Sequence, residues 1–279
     1  MRKNLPSQSG QVVLIILLVI SVILVVGLSV VSRSVTDIKI SQQSQESARA
    51  LWVAQAGLEK AIRTNAAIDR TEEGNLNVTY SVGKDDIGEG DEFVFPAKIE
   101  AGEYVSFWFL PRDEAGNLIT SFYTGPRNFT IGWGESEKCA LEATIIYSSS
   151  NKFYSKRYIY GPSSFNGKAT NFAAPPSGTI LIGDKTLQSK TDLISLPSGT
   201  PYVMQLRLLF NTSPQSIGIV SNDPGKIFPK QGSCYTSTAI VMESGVTRKL
   251  EQCELWPTVP SIFNYLLFSG GSITGEAFK

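Results

Sequence analysis

QVVLIILLVISVILVVGLSVV, residues 11–31, decides the architecture. From Val12 to Val31 only Ser21, Gly27 and Ser29 interrupt the aliphatic side chains. At about 1.5 Å per helical residue, such a run spans roughly 30 Å, the thickness of a bilayer's hydrocarbon core. A secretory signal peptide would need an apolar region of only about 7–15 residues and a small-residue cleavage site. Here the run is longer and closes on Ser32-Arg33-Ser34. The expectation is therefore a membrane-spanning helix over about 12–31. Arg2 and Lys3 precede it with no acidic residue nearby. The positive-inside rule then places the N-terminus in the cytoplasm and exports the remaining chain across the inner membrane, the arrangement of a single-pass protein.

Outward from the span, the sequence changes character twice. Through SQQSQESARALWVAQAGLEKAIRT there is no Pro, and no Gly before Gly57, so the helix is expected to run to about residue 65. Leu51, Ala54, Leu58 and Ile62 fall at helical spacing and predict the face that docks on the rest of the protein. From about residue 74 to 279 the pattern becomes short alternating runs rich in Val, Ile, Tyr, Phe and Thr, punctuated by Gly, Pro, Asn and Asp. Some thirteen runs read as strands, among them NLNVTYSV, EFVFPAKI, YVSFWFLP, LITSFYT, KFYSKRYIY and FNYLLFS. The predicted class is α+β, predominantly β: one long helix, then an antiparallel sandwich-like head. The head is one body or two lobes, with the Pro-containing segment 161–178 as the expected break.

Composition narrows the function. Lys plus Arg and Asp plus Glu balance at 25 each, which argues against nucleic acid as the main partner. Histidine is absent, which removes the commonest general base, metal ligand and hydrolase-triad member. Serine and lysine in SGVTRKL show no spacing that a serine–lysine hydrolase requires, and no catalytic residues are assigned. The chain reads as a non-enzyme.

Three cysteines occur, none in a C-x-x-C pattern. Cys234 and Cys253 flank two β-like runs joined at Glu243-Ser244-Gly245, and folding that hairpin about its midpoint sets them opposite each other at a spacing a disulfide spans. Three small buried thiols are the alternative, and Cys139 has no evident partner. Asp85, Asp86, Glu89, Asp91 and Glu92 crowd one loop, and calcium takes such oxygen-rich sites, although the spacing is not that of an EF-hand and solvated acidic turns are common. In YVSFWFLP, alternation puts Tyr104, Ser106 and Trp108 on one face and Val105, Phe107 and Phe109 on the other. A strand apolar on both sides belongs in a core rather than at a ligand surface. Asn77, Asn128 and Asn211 match an N-glycosylation pattern, a short motif that carries little meaning by itself.

The leader, MRKNLPSQSG, is short, basic and polar, and ends in Gly10 directly before the apolar run. With ARALWVAQAGLEKAI (Ala48–Ile62), this resembles the N-terminal region of type IV minor pilins of the PilX type, and also the K-type tip pseudopilins of type II secretion. The resemblance covers about the first 62 residues. It implies a leader over 1–10, cleavage by prepilin peptidase between Gly10 and Gln11, and a membrane helix that packs among those of other pilins and the pilus assembly machinery. It also makes calcium a candidate ligand of the head. Major pilins carry Glu as the fifth mature residue, whereas here that position is Ile15. Insertion into lipid is then easier, but an intersubunit charge contact is lost, so the implied role is a minor or tip subunit. Ile15, Ser21, Gly27 and Ser29 are the expected positions of helix packing, since small residues favour close approach in membranes. The competing reading is a membrane-anchored extracytoplasmic β-domain that binds a surface, a glycan or calcium and forms no filament.

Overall fold

The computed structural model describes residues 9–113, 116–120, 123–165 and 168–258. One apolar helix precedes a predominantly β, antiparallel remainder. The helix α1 runs unbroken over Ser9–Thr64. Its end has a local cause. Asn65 sits in the left-handed region at φ 51°, and the Ala66 amide reaches back to the Ala61 carbonyl at 3.2 Å while the Asn65 amide reaches Ile62 at 3.1 Å. That pair of bonds is a Schellman closure, satisfying carbonyls the last turn would leave bare.

The strands follow in chain order: β1 (Ile68–Glu73), β2 (Val78–Ile87), β3 (Glu92–Val94), β4 (Tyr104–Trp108), β5 (Asn128–Trp133), β6 (Ala140–Ser149), β7 (Lys152–Tyr160), β8 (Ser164–Phe165), β9 (Lys168–Ala169), β10 (Ile180–Ile182), β11 (Lys185–Leu187), β12 (Ser189–Lys190), β13 (Ile194–Ser195), β14 (Thr200–Leu209), β15 (Ile217–Ser221), β16 (Gly232–Val241) and β17 (Thr247–Leu255). They divide into two compact units, one of residues 1–83 and 235–252, the other of residues 84–234 and 253–279. The division falls inside β2, β16 and β17. The expected break at 161–178 is thus corrected: this segment lies wholly in the second unit. Its Pro and Gly residues shape a packed excursion, in which the Gly161 amide donates to the Ala173 carbonyl, the Ala173 amide donates to the Ile159 carbonyl, and Phe165 and Phe172 stack on Phe210.

In the first unit, a four-stranded sheet in the order β1-β2-β16-β17 receives the last turns of α1. Val78, Tyr80 and Val82 of β2 and Tyr235, Ala239 and Val241 of β16 alternate inward and close on Ala50, Val53, Ala54, Leu58 and Ala61. The helix face expected from Leu51, Ala54, Leu58 and Ile62 is therefore shifted. Leu51 is 42% exposed because the buried stripe centres on three alanines, leaving Leu51 on its rim. Small side chains bring helix and sheet close. At Gly57 an added Cβ would stand 2.6 Å from a Tyr80 ring carbon. Tyr235 donates its hydroxyl to Asn65 Oδ1 at 2.9 Å, tying the helix cap to the sheet. The polar strand β1, IDRTEE, lacks an apolar alternation and was not expected. Its register with β2 supplies it instead.

The second unit is a sandwich. A sheet in the order β12-β5-β15-β3, with β13 also on β5, and a sheet in the order β4-β14-β6-β7 turn their inner faces to one hydrophobic cluster. Phe93, Phe107, Phe109, Phe129 and Phe228 meet there through tilted or edge contacts, with ring centres 5.0–6.3 Å apart along the chain of contacts. LITSFYT is not a strand where it is described. Leu118 makes an isolated bridge to Arg112, because the Asp113 carboxylate takes the Asn117 amide at 2.8 Å and Gly116 turns at φ +84°. FNYLLFS lies outside the described residues.

Candidate functional site

Local sequence makes the span. An 18-residue window of α1 has mean hydropathy 3.3, and none of it is buried within the chain. Aliphatic side chains from Val13 to Val31 point into the surroundings all round the helix, which is stable exposure only in a solvent as apolar as they are. This one helix is long and apolar enough to cross a membrane. No acidic residue stands in its first turn. Gly10 and Gln11 lie in its helical backbone; the leader residues 1–8 lie outside the described residues.

Ile15, Ser21, Gly27 and Ser29 are all exposed on the span. Ser21 donates its hydroxyl to the Leu18 carbonyl at 2.8 Å, so this polar atom needs no partner from lipid. An added Cβ at Gly27 meets nothing within 4 Å. The small residues do not form one stripe. At about 100° per residue, Gly27 and Ser29 project to nearly opposite sides.

Cys234 and Cys253 form a disulfide with Cα atoms 3.9 Å apart, joining β16 to β17. Cys139 is a buried free thiol, and burial, reinforced by the nearby Glu137 charge, pushes its pKa up to about 12.

Asp85, Asp86, Glu89, Asp91 and Glu92 are all exposed, and no three of them converge as ligands. The reason is the strand itself: Asp85 and Asp86 are neighbours on β2 and so project to opposite faces. Asp86 is also engaged, taking Lys230 Nζ at 2.5 Å and the Ser233 hydroxyl at 2.9 Å. Burial alone would raise its pKa, but these bonds outweigh it and hold the carboxyl below its ordinary value. Glu92 instead accepts the Gly183 amide at 3.0 Å.

Trp108 presents no open ring. Its outer face carries the Arg112 guanidinium at 4.4 Å, which also lies 5.3 Å from the Trp256 ring, and its Nε1 donates to the Pro257 carbonyl at 3.2 Å. Gln231 closes the β4 backbone, donating from Nε2 to the Trp108 carbonyl and accepting the Trp108 amide, both at 2.8 Å. The aromatic strand is thus core on one side and covered on the other.

Two features escaped the sequence reading. Glu142, although charged, is buried on β6 and receives Arg207 Nε at 2.8 Å and Arg157 Nε at 2.7 Å. The strand β7, KFYSKRYIY, leaves most of its side chains in water. Its composition, three cations and four aromatics without a carboxylate, was the available signal.

No protein-family model matches this chain, no curated protein matches it, and no solved structure matches it.

Proposed function

We propose that this chain is a minor pilin-like subunit that takes part in assembly or tip formation of a type IV pilus or pseudopilus, without catalysis. The observation that carries this reading is the 56-residue helix: wholly exposed where it is apolar, then continuous into a segment whose alanine-rich face is buried on a sheet. A plain membrane anchor needs only about 20 apolar residues. Here the membrane segment and the sheet-docked segment share one rigid element, so lateral packing of the span would fix the position of the first unit's sheet. Under this reading prepilin peptidase removes residues 1–10, the new N-terminus is Gln11, and the protein stands in the inner membrane with its β region outside. Its partners are other pilins and the assembly machinery. Ile15 supplies no charge for a neighbouring subunit, which suits a subunit added first or held at an end.

The test is mass spectrometry of the membrane-extracted protein from cells that have the peptidase. The expected mature chain begins at Gln11, and Gly10→Val should block the cut. Recovery of an intact Met1 would sink the proposal. Correct processing without any association with other pilins would favour the anchored, non-filamentous reading.

A further inference from the structure

The hairpin β6–β7 turns through Ser150 and Asn151, both with positive φ at 51° and 60°, which is the backbone of a tight type I′ turn. Beyond it β7 runs along the edge of its sheet. Alternation sorts its side chains. Lys152, Tyr154, Lys156 and Tyr158 share one face, in register with Ser149, Tyr147, Ile145 and Ala143 of β6. The Tyr154 ring is 45% exposed and stacks on Tyr147, with centroids 5.6 Å apart and planes at 25°. Lys156 Nζ lies 5.1 Å from the Tyr158 ring. Arg157 points to the opposite face, where Glu142 neutralises it. Neither Lys152 nor Lys156 has an ion pair among the described residues.

Lysines alone are a common way to protect a sheet edge from pairing with another chain. Edge protection does not call for rings. An exposed Tyr154, stacked on the partly buried Tyr147 and flanked by two unneutralised lysines, places apolar ring surface, a hydroxyl group and positive charge on a single strip. At about 3.3–3.4 Å per residue, Lys152 and Lys156 lie roughly 13 Å apart with Tyr154 midway. An extended ligand running along the strand would meet cation, ring and cation in turn.

We propose that this strip, formed by the exposed Lys152, Tyr154 and Lys156 with Tyr147 behind them and Tyr158 packed against the core at its end, binds an acidic polysaccharide. A pyranose ring offers a C–H-rich face to tyrosine and hydroxyls to the phenol oxygen, while its carboxylate or sulfate groups meet the lysines. Single-stranded nucleic acid is the less suited polyanion. It needs free aromatic faces on which successive bases stack within a wider basic groove. Here Tyr154 is the one exposed ring of the three tyrosines, enough for a single sugar face but not for a series of bases, and the whole chain has no net charge. The site does not depend on filament assembly, since an anchored head would carry it equally, and its test reads binding alone.

The full-length protein in detergent micelles should be titrated with alginate, dextran sulfate, neutral dextran and poly-dT at low and physiological salt. Binding to alginate, dextran sulfate or both is expected, weakening as salt rises, with none to neutral dextran. Tyr154→Ala and the pair Lys152→Glu/Lys156→Glu should each weaken it at least tenfold, with an unchanged circular dichroism spectrum. Phe153→Ser, on the other face, should leave it intact. If Tyr154→Ala perturbs folding, the charge reversal alone carries the test. Equal binding to neutral dextran, binding to poly-dT only, binding insensitive to these substitutions, or no binding to either acidic glycan would each overturn the proposal.

Discussion

Gly57 offers a way to measure how closely α1 is seated on its sheet. A Cβ there would stand 2.6 Å from Tyr80 Cδ2 and 2.8 Å from Cε2, and 3.3 Å from the Ser237 hydroxyl. Ordinary carbon contacts lie at about 3.5–4.0 Å, so the ring would have to retreat by about 1 Å. Tyr80 is only 6% exposed and has little room to do so. Overpacking of this kind costs about 1–3 kcal/mol. Against it, alanine in a helix interior gains about 1 kcal/mol over glycine. Gly57→Ala should therefore destabilise the protein by about 1 kcal/mol, the upper part of the packing cost exceeding the propensity gain. In a Tyr80→Ala background the obstacle is gone and the same substitution should stabilise by about 1 kcal/mol, a coupling of about 2 kcal/mol. Thermal unfolding of the full chain in detergent micelles, followed by circular dichroism, reads this as a Tm lowered by about 2–4 °C in the first case and raised by as much in the second. If Gly57→Ala raised Tm equally in both backgrounds, the close approach of helix and ring would be refuted.

Other substitutions probe separate features. Glu142→Gln removes the charge shared by Arg207 and Arg157 at a site where both Glu142 and Arg207 are largely buried, and should cost about 3 kcal/mol in urea unfolding. Arg157→Gln, at a side chain that is 55% exposed, should cost about 1 kcal/mol or less, and equal effects would show that Glu142 is not the centre of the group. Cys139 should resist maleimide at pH 8 in the folded protein and react once urea unfolds it. Because its folded pKa is raised from 9.0 to about 12, its contribution to stability is fully present below pH 9 and is lost as pH rises toward 12. A thiol that alkylates rapidly in the native protein would contradict its burial. At Gly27 an added Cβ meets no atom within 4 Å and the position lies on the exposed span, so Gly27→Leu should leave the β signal unchanged, while co-purification with other pilins should fall. Unaltered co-purification would remove Gly27 from the packing surface.

The sequence by itself determined what depends on covalent geometry and the surrounding solvent. An aliphatic run of bilayer length has no stable alternative to a helix in lipid, and period-2 runs such as NFTIGW and YVMQLRLLF fold as strands because neighbouring side chains alternate faces. The predominantly β class followed, as did the two-sided burial of YVSFWFLP, because both are properties of a short stretch read alone. What required the tertiary structure depends on residues far apart in the chain. β1 is a strand because β2 lies beside it, since IDRTEE has no alternation of apolar and polar side chains to mark one. The buried stripe of α1 is set by where Tyr80 and Ser237 approach Gly57, which moves it off Leu51. The carboxylates from Asp85 to Glu92 are close in sequence yet diverge, since a strand sends neighbours to opposite faces and Lys230 and Gly183 arrive from elsewhere to engage two of them. The segment 161–178 has the composition of a linker, but Phe210 gives its aromatic rings a surface to stack on, so the chain divides within β2, β16 and β17 instead. Local pattern specifies which way each side chain can point. Only the folded chain supplies what it meets there.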